Sequence, residues 1–152
     1  EVGVDEPEAT FSACFGAAFL VWPPDKYAEM LAEKIREHDA EAWLINTGIT
    51  GGPYGTGRRV PLKYTRAMVD AIHDGSLLEA PKQTEPVFGL NVPTTCPHVP
   101  NEILMPRGTW DNPDAYDAKA EHLVGLFNEH FEQYEDMAAP EIVDAGPQLQ
   151  TA

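Results

Sequence analysis

Between Ser76 and Trp110 the chain carries prolines at positions 81, 86, 93, 97, 100 and 106. A proline lacks the N–H a helix interior needs, and its ring clashes with the preceding turn, so no long helix fits in this interval. What remains is a run of short extended pieces, such as Val87–Val92 ("VFGLNV"), joined by well-packed, meandering loops. Helices must therefore lie on either side. Upstream, "WPPDKYAEMLAEKIREH" sets two prolines and Asp25 ahead of Tyr27, Met30, Leu31 and Ile35, a spacing that gathers apolar side chains on one helix face. Downstream, "DNPDAYDAKAEHLVGLFNEHFEQYEDM" opens with Asn112 as N-cap, Pro113 at the first helical position and acids in the first turn. Tyr116, Ala120, Leu123, Phe127, Phe131 and Tyr134 then repeat at steps of three and four, which predicts a long amphipathic helix whose Phe127 and Phe131 are core.

Other elements are shorter. Glu41–Asn46 ("EAWLIN") is a brief apolar run between a helix and glycines and suits a buried strand. After Pro61, which holds Val60 extended, Thr65, Met68, Val69 and Ile72 mark a second helix with Gly75 as its C-cap. The run Ala13–Trp22 is about half the roughly 20 residues of a membrane span and reads as buried core. The segment after Met137 has weak periodicity and reads as a tail. The predicted class is mixed α/β in a single domain, with short strands and a long C-terminal amphipathic helix. At 152 residues such a chain can bury roughly 70% of its unfolded surface, and Trp22, Trp43 and Trp110 suit a packed interior.

The charge balance narrows the partners. Asp and Glu total 25 against 10 Lys and Arg, a formal net charge of -15. Such a chain is repelled by phosphate backbones and anionic membranes, so nucleic acid and membrane partners are excluded as expectations. The acidity reads as a solvated surface, with adaptation to salt as the other source of such a balance. Cys14 and Cys96 are too few for a disulfide framework, which points to a reducing cytoplasm. The start "EVGVDEPEATF" reads as neither a translation start nor a signal peptide, so the chain is expected to be a piece of a longer polypeptide.

Against this acidic background, Asn46–Arg59 ("NTGITGGPYGTGRR") concentrates five glycines and two adjacent arginines. Gly52 and Gly57 have the spacing of a phosphate-binding GxxxxGK[ST] loop, but Arg58 and Arg59 stand where Lys and Ser or Thr belong, and Pro61 delays the following helix. Three readings stay open: a phosphate cradle; a tight multi-turn connection in which Gly supplies positive φ; and a wall whose arginines face a base or phosphate completed by other parts of the protein. Nothing else assembles an active site. His38, His73, His98, His122 and His130 never take HExxH spacing and read as surface or satisfied histidines. Ser12 lacks the GxSxG elbow, Cys14 reads as an inert core thiol, and no metal-ligand pattern is present.

The ordered stretches "GVDEPEATFSACFGAAFL", "WLINTGITGGPYGTGRRVPLKYTRAMVDAI", "PVFGLNVPTTCPHVP" and "PRGTWDNPDAYDAKAEHLVGLF" resemble the ATP-dependent phosphoenolpyruvate carboxykinases, in their C-terminal portion. The resemblance implies that residues 1–152 form the end of the mononucleotide-binding domain of an enzyme that turns oxaloacetate and ATP into phosphoenolpyruvate, ADP and CO2 in gluconeogenesis, in the cytoplasm. Carried over by position, it places adenine-side ATP contacts on Arg59, Val60 and Thr65. It also implies that the phosphate-binding loop, the ligands of Mg2+ and Mn2+ and the oxaloacetate-binding arginines lie upstream of Glu1, so that no catalytic or metal-binding residue falls in this chain and the chain alone is inactive. The other reading is a non-catalytic nucleotide-binding or interaction module derived from that enzyme. In either case, apolar faces of the strand and long helix are left for self-association.

Overall fold

In the computed structural model of the protein, which describes Phe11 and residues 16–147, prolines open elements and do not interrupt them. Pro24 begins α1 (Pro24–His38), Pro61 caps α2 (Leu62–His73), Pro100 caps α4 (Asn101–Leu104), Pro106 opens a 3-10 turn (Pro106–Thr109), and Pro113 and Pro140 begin α5 (Pro113–Glu135) and α6 (Pro140–Asp144). A fixed φ near −65° is preorganised for a first helical turn, where the missing N–H costs nothing. The short helix α3 (Ser76–Glu79) follows Gly75, whose φ of 82° ends α2 one residue beyond its C-cap Asp74. The described residues gather in two units: those of Glu1–Leu44 with Glu129–Asp144, and those of Ile45–Asn128 with the end of the chain.

The first unit holds α1, the last turns of α5, and α6. Its α1 has the predicted bounds, and α6 replaces the expected tail, because Pro140 can start a helix that Ile142 and Val143 continue. None of its described residues is buried. Within the apolar run expected as core, Phe19 is 89% and Val21 87% exposed, and Leu31 on the apolar face of α1 is 62% exposed. Periodicity makes an apolar face, but burial needs a second surface, and the described part of this unit does not provide it. Ser12 and Cys14 lie outside the described residues. Among its contacts, Phe11 stacks on His130 at 4.8 Å, Trp22 meets Tyr27 at 6.0 Å, and Lys26 pairs with Glu29 at 3.1 Å along α1. A groove of about 220 Å³ lies among Pro24, Ala28, Phe131, Tyr134, Met137 and Ile142.

Glu41–Asn46 forms no strand, and Leu44 is 86% exposed. A strand exists only by pairing, and the pairing falls three residues later, where β1 (Ile49–Thr50) runs antiparallel to β2 (Arg58–Arg59) in the second unit. The proline-rich middle holds no long helix, as expected, but Val87–Val92 is not the extended piece expected: Val87 and Phe88 lie in the turn between two strands, where the Glu85 carboxylate binds their N–H groups, and only Asn91 and Val92 are in a strand. Lys82–Thr84 (β3) and Asn91–Pro93 (β4) pair with Gln83 opposite Val92. Their turn is closed by the Glu85 carboxylate, which accepts from the N–H groups of Val87 (3.0 Å) and Phe88 (2.6 Å).

The buried residues of this unit come from distant segments: Thr50, Gly52, Val60, Ala71, Leu77, Cys96, Val99, Ala120 and Val124. On α5 the buried pair is Ala120 and Val124, one turn apart, with Val124 fully enclosed. Phe127, expected as core, is 42% exposed and meets Phe88 edge-on at 6.2 Å. The expected N-cap is present, with Asn112 Oδ1 accepting from the Asp114 N–H at 3.0 Å.

Candidate functional site

The Gly-rich stretch builds a narrow hairpin. The register pairs Ile49 with Arg59 and Thr50 with Arg58, and the Val60 N–H extends the ladder to the Gly48 carbonyl at 2.9 Å. Between the strands the chain folds around the Pro53 carbonyl, which accepts from Thr56 (3.1 Å) and Gly57 (2.8 Å). Glycine is required for two separate reasons. Gly51, Gly52 and Gly55 have φ of 77°, 147° and 85°, a region that side chains rarely adopt. At Gly57 the need is space: a Cβ there would overlap the Gly52 carbonyl oxygen and stand 2.5 Å from Ile49 Cγ2. This is not a phosphate cradle opening into a helix, since β2 and Pro61 intervene before α2.

Arg58 and Arg59 are exposed on β2, and neither forms an ion pair with a described residue. Val60, immediately after them, is 5% exposed, and Thr65 is half-buried in the first turn of α2. Pro61 makes the corner between strand and helix, so these three positions span one strand-to-helix turn. A groove of about 470 Å³ runs along another side of α2, between Lys63, Arg66, Asp70 and Asp74 and the loop residues Pro97 and His98. It is a neighbouring surface, lined by none of the three. Below it Cys96 is buried, and that burial, followed by the Asp74 charge, pushes its thiol up, as befits an inert core cysteine.

The support of the loop was not visible in its sequence. Buried Thr50 meets Thr109 across 59 positions of chain, hydroxyl to hydroxyl at 3.1 Å. Thr109 gives its only proton to the Pro106 carbonyl at 2.7 Å, so Thr50 is the donor to Thr109. A Cβ on Gly51 would come within 3.2 Å of the Thr109 carbonyl oxygen, so the two backbones pack closely. The turn that carries Thr109 is in turn tied to α5, because Arg107 forks onto Asp117 through bonds of 2.7 and 2.8 Å. That pair holds the Asp117 carboxyl below its ordinary range, through hydrogen bonding first. The only local hint of this arrangement was the pattern "PRGT" before an N-cap.

The histidines are dispersed: His38, His73, His98 and His122 are exposed, and His130 stacks on Phe11. Among the described residues no group of three or more His, Cys, Asp or Glu is placed to hold a metal ion, and no helix is long and apolar enough to cross a membrane.

Comparison with known proteins decides the kinship. The family model described as phosphoenolpyruvate carboxykinase matches residues 1–102, which include the hairpin, α2 and the β3–β4 pair. The chain belongs to the ATP-dependent phosphoenolpyruvate carboxykinase family. It is 83% identical over its whole length to phosphoenolpyruvate carboxykinase (ATP) 2 of Salinibacter ruber, covering 29% of that protein. It is 53% identical over 151 residues to phosphoenolpyruvate carboxykinase (ATP) 1 of the same organism, and 51% identical over 150 residues to phosphoenolpyruvate carboxykinase (ATP) of Thermus thermophilus, covering 28% of each. The chain thus spans under a third of the length of the carboxykinases it matches. Helix α5 and the Thr109 turn, beyond the family model, fall within the stretches shared with these relatives.

Proposed function

We propose that this chain serves as the C-terminal portion of the nucleotide-binding domain of a phosphoenolpyruvate carboxykinase (ATP), converting oxaloacetate and ATP to phosphoenolpyruvate, ADP and CO2, and that it supplies the adenine side of the ATP site. The observation that carries the reading is the hairpin itself: a rigid Gly-rich turn ends in two exposed arginines, in a chain 83% identical to a named ATP-dependent carboxykinase. Each residue has a distinct part. The Arg59 guanidinium is planar and weakly hydrated, suited to lie against a purine face. The Thr65 hydroxyl can donate to or accept from a ring nitrogen or exocyclic amine. Val60 is buried and its N–H is engaged by Gly48, so its part is to fix the backbone that presents Arg59.

The phosphates, oxaloacetate and divalent cations are assigned to the rest of the enzyme, since the chain spans under a third of the length of the carboxykinases it matches. When bound there, Mg2+ and Mn2+ would neutralise charge on the transferring phosphoryl group. Without those groups the chain alone gives no turnover, and a coupled assay of the purified chain with manganese checks this. A cytoplasmic setting for gluconeogenesis follows from the same reading. The exposed Phe19, Val21 and Leu31 supply the surface through which the isolated chain self-associates; a monomer in sedimentation velocity refutes that part.

The test of the site is ATP binding by the complete enzyme and its Arg59→Ala variant. Loss of a stacked guanidinium is expected to weaken ATP by about 1–2 kcal/mol, roughly 5- to 30-fold in Kd. An unchanged Kd refutes the assignment.

A further inference from the structure

We infer that Thr109 is a positioning residue for ATP, holding the Gly-rich hairpin through Thr50 so that Arg59 stands at a fixed place; this rests on the adenine-site reading above. Thr50 is 7% exposed and gives its hydroxyl proton to Thr109, which gives its own to the Pro106 carbonyl, a directed chain with no free rotor. Thr50 is paired with Arg58 and its neighbour Ile49 with Arg59, so the strand held by Thr109 is the strand that sets the height of both arginines. Two-residue strands make a weak ladder by themselves, and an outside anchor therefore has a large share in fixing them. The anchor is firm at its other end, since Arg107 of the same turn forks onto Asp117 of α5. Gly51 packs against the Thr109 carbonyl and leaves the hairpin little room to slide.

Thr109 touches no ligand in this scheme, so its effect should be selective. In the complete enzyme, Thr109→Val keeps the shape and removes the hydroxyl. It is expected to raise the KM for ATP roughly 3- to 10-fold, the scale of one buried hydrogen bond, with the KM for oxaloacetate unchanged. Thr109→Ser restores the ATP value. Thr50→Val, which removes only the bond shared with Thr109, raises the ATP KM in the same direction, and the double variant is no worse than Thr109→Val, because that change already removes both the shared bond and the one to Pro106. Equal changes in both KM values, or an ATP KM that stays put while Arg59→Ala raises it, overturn the inference and leave the adenine site standing. An Arg59→Ala enzyme with a normal ATP KM overturns the site reading, and this inference with it.

Discussion

Gly57→Ala puts the hairpin argument under the most direct strain. The added methyl would overlap the Gly52 carbonyl oxygen and stand 2.9 Å from the Gly52 carbonyl carbon and 2.5 Å from Ile49 Cγ2, where ordinary contact begins at 3.4 Å. Ile49 can turn its side chain away, but Gly52 is backbone. Relieving the closer overlap with the carbonyl oxygen makes the loop open by about 1 Å, and such overpacking costs about 1–3 kcal/mol. Arg59 sits two residues on, in the strand that the opening would tilt. Since a misplacement of about 1 Å can cost on the order of 100-fold, ATP should bind roughly 10- to 100-fold more weakly. The assay is a thermal melt and a calorimetric ATP titration of the complete enzyme. Gly55→Ala is the control: its φ of 85° carries strain of about 1 kcal/mol, but nothing lies within 4 Å of the new methyl, so the opening at Gly52 is absent. A Gly57→Ala enzyme that matches wild type in both stability and ATP affinity refutes the reasoning.

Three further outcomes follow from the same geometry. Gly125→Ala, within α5 and with nothing within 4 Å, should stabilise by about 0.5–1 kcal/mol in urea unfolding; a loss of stability contradicts it. Val124→Ala removes two carbons from a fully buried site and should cost about 2–3 kcal/mol, while Leu44→Ala, at a position 86% exposed, stays within about 0.5 kcal/mol; equal effects would deny the burial pattern. The Asp117 carboxyl, held below its ordinary range by Arg107, makes a contribution to stability that is present above the ordinary carboxylate range and is lost as pH falls through its own lowered value. In Arg107→Gln its NMR titration should move up toward the ordinary carboxylate range, and an unmoved midpoint would separate the pair from the shift.

Much of the secondary structure was legible because it is decided locally. Pro24, Pro113 and the Asn112 cap start their helices, and Gly75 ends α2 with the positive φ that its lack of a Cβ allows. Burial was legible only in part. The α5 helix was legible, but of its expected apolar stripe only Ala120 is buried, Leu123 and Phe127 are exposed, and the enclosed Val124 stood outside the stripe, because periodicity does not say which side of a helix will meet a neighbour. Glu41–Asn46 had a strand's composition but pairs with no strand among the described residues. The candidate site divides in the same way: Arg59, Val60 and Thr65 follow from family resemblance over adjacent residues, whereas Thr109 lies 59 positions from the Thr50 it supports.

The sequence alone determined where helices could begin, that the proline-rich middle would hold no long helix, and which carboxykinase family the motifs resemble. These follow from φ restriction, capping and ordered motifs, all of which act within a few residues. Tertiary structure decided which apolar faces were buried, which two residues of the Gly-rich stretch would pair as β1, and that two threonine hydroxyls would lock that hairpin to the turn before α5. Burial and long-range hydrogen bonds depend on what a distant segment brings to the same point in space, and no local pattern encodes that meeting.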